Sequence, residues 1–476
     1  MEAKTFKRRD FIRAAAVAAT GVLAAACQPK VVEVEKVVKE TVIVAGTPQV
    51  VEKTVKEVVK ETVVVEKKVE VPKGVKITMY HAWHRAIAGP VIEPMVREFE
   101  ATHPGIFIAL TGAVPAELGP MIMAAVAAGT PPSITWGSFA PLYRAGAILP
   151  IDEYLQKYNY EVDQVYQYLW DMFSIKGKKY AFPVENSSVC WWYNKDLLEK
   201  AGLPEPKPDW DWNDLVEYAK KLTIYEKDVP VQYGITHAMD KSWAFFTPLM
   251  ELGGQWMNDS LTQVVFDSEA GVKAMTWFAD LCQKEKVMPE PGAGFNANDW
   301  FPAGKCAMQW DGPWRFGAWV NELNMNVGTV PHPKNPDTGN RDTYVFGGTL
   351  QLMKTNPEEQ DAAAQFLCWF HSRDNNTRWC IETGYLPMRK DVAETPKYKD
   401  FLAGKGKVMK AFLDSFTVGK QIPGRTVMPK FGDTQTIFAD ECWDPVLTGK
   451  RSPQEGLKTA AEKINADKEL FERIDL

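Results

Sequence analysis

Seventeen tryptophans stand against six histidines in this 476-residue chain, a supply that favours flat apolar faces over imidazole bases or metal ligands. A sugar ring offers an apolar C–H face and a fringe of hydroxyls, so a site for it needs aromatic platforms and a few charged groups that hydrogen-bond in pairs. Candidate platforms in predicted loops are Trp83, Trp136, Trp243, Trp300, Trp310 and Trp314. The polar candidates are His84, Glu185, Asp311 and Arg425, and Gly347-Gly348 suits either a hinge or a close approach of backbone to ligand. A hydrogen bond to such a charged group contributes about 1.5–3 kcal/mol. Trp191, Trp277 and Trp369 fall inside predicted strands or helices and read as core. His81 and His84 at a strand end face opposite ways with no cysteine or carboxylate cluster beside them, so no metal is expected. The chain has no Gly-x-Ser-x-Gly elbow, His-Glu-x-x-His pair or Walker loop. Neither catalysis nor a cofactor is therefore expected. A secreted carbohydrate-active enzyme, which needs two carboxylates about 5–9.5 Å apart, is the distant alternative.

The elements that must carry these side chains alternate between two periods. Residues 75–80 alternate apolar and polar as a strand does. Ile92, Met95, Val96 and Phe99 then follow helical spacing until His103-Pro104-Gly105, and residues 106–110 read as a second strand. The same grammar recurs in an alanine-rich helix over 121–129, in a helix with Leu215, Tyr218, Ala219 and Leu222 on one face, and over 274–281 and 363–370. This predicts an α/β chain with parallel sheet. Asp211-Trp212-Asn213-Asp214 reads as a capping-box variant that opens a helix. Asp209, Asp211 and Asn213 mimic a calcium loop, but Asp214 stands in place of the required glycine and Lys220 in place of the terminal glutamate.

Ahead of this body, Lys7-Arg8-Arg9-Asp10-Phe11-Ile12-Arg13 precedes an apolar stretch over 14–26, which has the architecture of a signal peptide and is too short to span a bilayer. The paired arginines resemble a twin-arginine export signal. Leu23-Ala24-Ala25-Ala26-Cys27 looks like a bacterial lipoprotein processing site, which implies a lipid on Cys27 that holds the exported chain to a membrane. Residues 27–74 are then an anchor and tether, since 28–74 hold almost nothing but Val, Glu, Lys and Thr and no aromatic residue. Val51, Val55, Val58, Thr62, Val65 and Val69 carry coiled-coil spacing, an alternative to the solvated tether. A net charge of −6 offers no broad basic field for nucleic acid. Besides Cys27 there are Cys190, Cys282, Cys306, Cys368, Cys380 and Cys442, and spacing selects no pairing among them.

Read in order, the segments become specific. Ala127-Ala-Gly-Thr-Pro-Pro132, Gly146-Ala-Ile-Leu-Pro-Ile-Asp152, Gly177-Lys-Lys-Tyr-Ala-Phe-Pro183, Tyr193-Asn-Lys-Asp-Leu-Leu198 and Ala201-Gly-Leu-Pro204 are followed by Gly304-Lys-Cys-Ala-Met308 and Asp311-Gly-Pro-Trp314. The chain thus resembles the extracellular solute-binding proteins of ABC importers, the carbohydrate group that includes maltose-binding protein. The resemblance implies a two-lobed, type II-like periplasmic-binding-protein fold with a ligand cleft between discontinuous lobes. Carried onto this chain, residues 1–26 are the signal, 75–183 with 347–386 one lobe, and 184–346 with 387–476 the other. It also implies that Gly-Pro-Trp turns Trp314 toward ligand. The expected protein is a monomer, exported and held at the cell-surface or periplasmic face, that delivers a sugar or oligosaccharide to membrane permease subunits. A polyol, glycerol phosphate or nucleoside is the alternative solute.

Overall fold

The computed structural model describes residues 30–44, 47–61, 74–83, 88–237, 241–294 and 296–474. The expected signal, lipid-bearing Cys27 and His84 lie outside them. The chain divides into two units, Met1–Pro72 and Lys73–Leu476.

In the first unit β1 (Lys30–Val44) and β2 (Thr47–Glu61) form an antiparallel ladder, with Lys30 opposite Glu61 and Val44 opposite Thr47. The valines of Thr47–Glu61 that could serve a coiled coil are carried on a strand instead. Branching at Cβ restricts valine on a helix and suits it to a pleated ladder.

The second unit opens as its periodicity predicts. Strand β3 (Val75–His81) leads to the helix Gly89–Thr102, which buries Ile92, Met95, Val96 and Phe99 along one stripe. The helix closes with the His103 amide on the Phe99 carbonyl, and Gly105 at φ 98° turns the chain into β4 (Ile106–Gly112), parallel to β3. The helix Pro115–Ala127 starts ahead of the alanine run, because Pro115 at its first turn is already held at a helical φ. It returns the chain to β5 (Ile134–Trp136), again parallel to β3. A tight hairpin joins β6 (Ser174–Ile175) to β7 (Lys178–Lys179) through Lys176 and Gly177, both at positive φ.

After β8 (Phe182–Pro183) the chain builds a second sheet from β9 (Cys190–Asn194), β10 (Ile224–Glu226), β11 (Val229–His237), β12 (Cys306–Asp311) and β13 (Val327–Val330). It then returns with β14 (Thr349–Leu352) to the first sheet. The two five-stranded sheets have the orders β4-β3-β5-β14-β8 and β10-β11-β12-β9-β13. Both are mixed rather than parallel. The βαβ strands β3, β4 and β5 pair in parallel, as do β11 and β12, whereas β14 runs antiparallel to both β5 and β8, and β9 runs antiparallel to β12 and β13. A strand that enters from the other sheet has no helical crossover to set its direction, so the parallel rule inferred from the βα alternation does not bind it.

The passes between the sheets are hydrogen-bonded to one another. Val184 N–H donates to the Gly348 carbonyl at 2.9 Å, Ser187 and Phe346 exchange two backbone bonds at 3.0 and 3.1 Å, and Leu386 N–H donates to the Asn186 carbonyl at 2.9 Å. The helix Trp212–Leu222 begins in the predicted capping box. The Asp211 carboxylate accepts from the Asn213 and Asp214 amides at 2.7 and 3.0 Å while Asp214 accepts from the Asp211 amide at 3.0 Å, so the acidic spacing is a cap and not a cation loop. The six cysteines of this unit are all buried free thiols. No described helix is long and apolar enough to cross a membrane.

Candidate functional site

The passes between the sheets meet at one carboxylate. Glu185, two residues past the end of β8, is 4% exposed. Its Oε1 accepts the indole N–H of Trp83 at 2.6 Å and that of Trp136 at 3.0 Å. Trp83 follows β3 and Trp136 ends β5, so the parallel pairing of those strands brings both indoles to the same edge of the sheet. Tyr385, just beyond the helix Arg373–Thr383, stands beside the same carboxylate. Gly348 makes the room: a Cβ there would stand 2.2 Å from Glu185 Oε2 and 2.7 Å from Trp136 Nε1. The close approach expected of Gly348 is therefore to Glu185. Burial pushes the Glu185 carboxyl above its ordinary range, opposed by the Trp83, Tyr385 and Trp136 hydrogen bonds and by the charge of Arg425. Burial, with Glu185 beside it, raises Tyr385 well above the usual phenol range.

Aromatic rings surround this hub. Trp243 lies 5.0 Å from Tyr344 and 5.8 Å from Phe346, and Trp314 lies 5.7 Å from Phe346 and 6.4 Å from Tyr385. The Arg425 guanidinium sits 5.2 Å from the Trp243 centroid and 5.5 Å from that of Phe346. Trp136, Trp243 and Phe346 are half-buried, while Trp314 is 9% exposed. Trp83 is 1% exposed, packed on Trp379 at 4.6 Å and Phe370 at 5.9 Å, so it offers an N–H to Glu185 rather than a platform.

Thus Trp83, Trp136, Glu185, Trp243, Trp314, Gly348 and Arg425 come together. Asp311, Trp300 and Trp310 are placed otherwise. Asp311 Oδ2 accepts from Arg315 Nε at 2.6 Å and Gln309 Nε2 at 2.9 Å, and Oδ1 from the Gly312 amide at 2.8 Å. With both oxygens engaged and 1% exposure, it holds the turn into Trp314 instead of facing a ligand. Gly312 completes that turn, since a Cβ there would lie 2.1 Å from the Trp314 ring. Trp310 is 2% exposed and lies edge-on to His332 and Tyr344 inside the second sheet's core. Trp300 stacks on Tyr233 at 5.9 Å. Tyr233 pairs with Cys306, the start of β12, about 16 Å of strand away from Asp311 at its end.

Tyr385, Phe346 and Tyr344 belong to the cluster although the sequence reading passed over them. A signal for Tyr385 existed: Gly384 closes the preceding helix at φ 87°, and a Cβ there would lie 2.5 Å from both Phe316 Cβ and the Pro313 carbonyl, so the next side chain is fixed in direction.

The family of bacterial extracellular solute-binding proteins matches residues 94–403. The sn-glycerol-3-phosphate-binding periplasmic protein UgpB of Escherichia coli strain K12 is 25% identical over 308 residues, 61% of this chain and 67% of that protein. The ABC substrate-binding protein Lmo0181 of Listeria monocytogenes, in complex with cycloalternan, superposes with a TM-score of 0.73 at 24% identity, over 83% of this chain and 98% of the other. UgpB of Mycobacterium tuberculosis in complex with glycerophosphocholine gives 0.72 at 17% identity, with 83% and 98% covered. The maltotriose-bound maltose/maltodextrin-binding domain MalE of Bdellovibrio bacteriovorus gives 0.72 at 20% identity, with 83% and 100% covered. These likenesses share the two-lobed α/β fold, and with the family match spanning well over half of its length this chain belongs to the bacterial extracellular solute-binding proteins.

Proposed function

We propose that this solute-binding protein serves an ABC importer and captures a sugar or oligosaccharide for delivery to the membrane permease. The observation that carries the reading is the set of half-buried aromatic rings of Trp136, Trp243 and Phe346 gathered round the Glu185 hub. Such rings match the apolar side of a pyranose, and Arg425 supplies charged donors for hydroxyls. Residues 75–183 with 347–386 form one lobe and 184–346 with 387–476 the other, with the solute between them. Solute that touches both lobes shifts the population toward a closed form, which the permease then reads. The protein acts as a monomer and carries out no catalysis. Its N-terminus is exported through a twin-arginine signal and anchored by lipid on Cys27, a reading supported by the basic and apolar stretches that precede that cysteine.

A thermal-shift screen against mono- and oligosaccharides, polyols, glycerol phosphates, nucleosides and amino acids tests the solute. Ligand at 100 times its dissociation constant should add about 2.7 kcal/mol of stability. A carbohydrate that raises Tm establishes the reading, and a response confined to amino acids or nucleosides overturns it. For the anchor, Cys27→Ala should release the protein from membranes into the soluble fraction, and unchanged membrane association would remove Cys27 as the lipid site.

A further inference from the structure

A cavity of about 320 Å³ opens in the second unit away from the Glu185 hub, and none of the residues gathered round that hub lines it. Two pieces of sequence build its walls. The helix Asp152–Lys157 ends at Tyr158, and Asn159 at φ 50° turns the chain so that Tyr158, Asn159 and Tyr160 all border the space. Asparagine tolerates that left-handed conformation better than most residues. The other wall comes from the helix Pro357–Phe370, where Gln365, Cys368 and Trp369 stand at i, i+3 and i+4 and so share one face. Trp369, expected in the core, is half-buried: it packs on Phe99 at 5.4 Å and Phe366 at 6.2 Å and also borders the cavity.

The floor is fixed and its charges are matched. Arg389, 1% exposed, binds Glu161 and Asp391 at 2.5 and 2.7 Å and lies 5.6 Å from the Tyr160 centroid. Tyr160 donates its hydroxyl to His371 Nδ1, because Nε2 of that ring must donate to the Pro183 carbonyl. With Arg389 engaged by two carboxylates, it has no spare charge with which to draw an anion. The side chains of Asn159, Gln365 and Ser372, by contrast, hydrogen-bond to no described residue, and Ser372 opens the helix Arg373–Thr383 without capping it. Two amides that both donate and accept, a hydroxyl and an indole therefore converge on one concavity. That is the set a pyranose needs: a ring for its C–H face and uncharged polar groups for its fringe of hydroxyls.

We propose that this cavity is a second carbohydrate-binding site, separate from the cleft, which takes one neutral pyranose unit against Trp369 and holds its hydroxyls through Asn159, Gln365 and Ser372. It is independent of what the cleft takes. With few hydrogen bonds and an open mouth, it binds in the millimolar range and holds a sugar near the protein without committing it to transport.

Fluorine NMR of the full chain labelled with fluorotryptophan tests it, with Trp369→Phe assigning the Trp369 resonance and with glucose, galactose, mannose, maltose and cellobiose as probes. That resonance should shift saturably with at least one of these sugars and stay put with glycerol, which has hydroxyls but no ring face. The titration should persist in Trp136→Ala, where the cleft is impaired. Asn159→Gly keeps the left-handed turn and removes the amide; it and Gln365→Ala should each weaken the titration about three- to tenfold. A Trp369 resonance that no sugar moves, or that glycerol moves equally, overturns the proposal. So does a shift that vanishes in Trp136→Ala, since it would then report the cleft, or one that neither polar variant weakens. Should Trp369→Phe not fold, the resonance is identified by its response to Asn159→Gly and Gln365→Ala, both outside the core.

Discussion

Glu185 draws its importance from what it touches. One oxygen fixes two indoles, one half-buried and one fully buried. Trp136→Ala should therefore weaken solute binding about tenfold or more with little change in Tm, because a half-buried ring is lost and the hub keeps Trp83. Trp314→Ala should lose affinity and also about 3 kcal/mol of stability, since that ring is packed on Phe346 and Tyr385 at 9% exposure. A urea melt on each variant beside a binding isotherm separates the two; a Trp314→Ala protein of native stability would show the ring to be a free platform after all. Gly348→Ala forces a methyl to within 2.2 Å of the Glu185 carboxylate, so it should cost about 1–3 kcal/mol and disturb binding together with stability. A neutral result in both assays would mean that Glu185 has another place to go.

At the scale of elements, helix ends carry their own signatures. Asp211 and Ser452 each open a helix through a capping box, the second closing on Glu455. Asp211→Ala and Ser452→Ala should each destabilise the protein by about 1 kcal/mol with an unchanged denaturant slope. Added calcium should not alter the melting of the parent protein, because the Asp211 oxygen that a cation would need already accepts two amides. The Asp211 cap was legible from spacing alone, since a cap is completed within four residues; the sequence reading did not pick out the Ser452 cap. The direction of β14 was not legible, because it depends on a partner strand more than two hundred residues away, with Gln351 opposite Thr135.

Across the whole molecule, buried titratable groups set opposing slopes of stability with pH. Burial lowers His81 to about 4, His332 to about 3 and His371 to about 4. Between those values and the ordinary 6.5 the unfolded chain binds more protons, so stability is lost as pH falls below about 6.5. Burial raises Glu251 to about 9 in spite of hydrogen bonds from Trp212 and Asp342. Between 4.5 and about 9 the folded state holds the extra proton, so this group makes stability fall as pH rises. Burial raises the Glu185 carboxyl as well, so three histidines act against two glutamates below 6.5, which still places the Tm maximum near that pH. Glu251→Gln should make the alkaline decline from pH 6.5 to 9 shallower, as a series of melting curves would show; an unaltered slope would mean that Glu251 is ionised in the folded protein. What the sequence determined by itself was local or additive: the βα alternation and hence the α/β class, the Asp211 cap, the aromatic-rich supply for a cleft, and the ordered segments of the family. Tertiary structure decided which of those aromatics are left half-buried. Trp83 meets Glu185 across 102 positions, and Asp311 finds its cation in a turn that must first fold back on Gly312. Trp300 lies at one end of β12 and Asp311 at the other. Exposure and hydrogen-bond partnership are properties of packed surfaces from distant segments, so residue type and spacing could nominate these side chains but could not orient them.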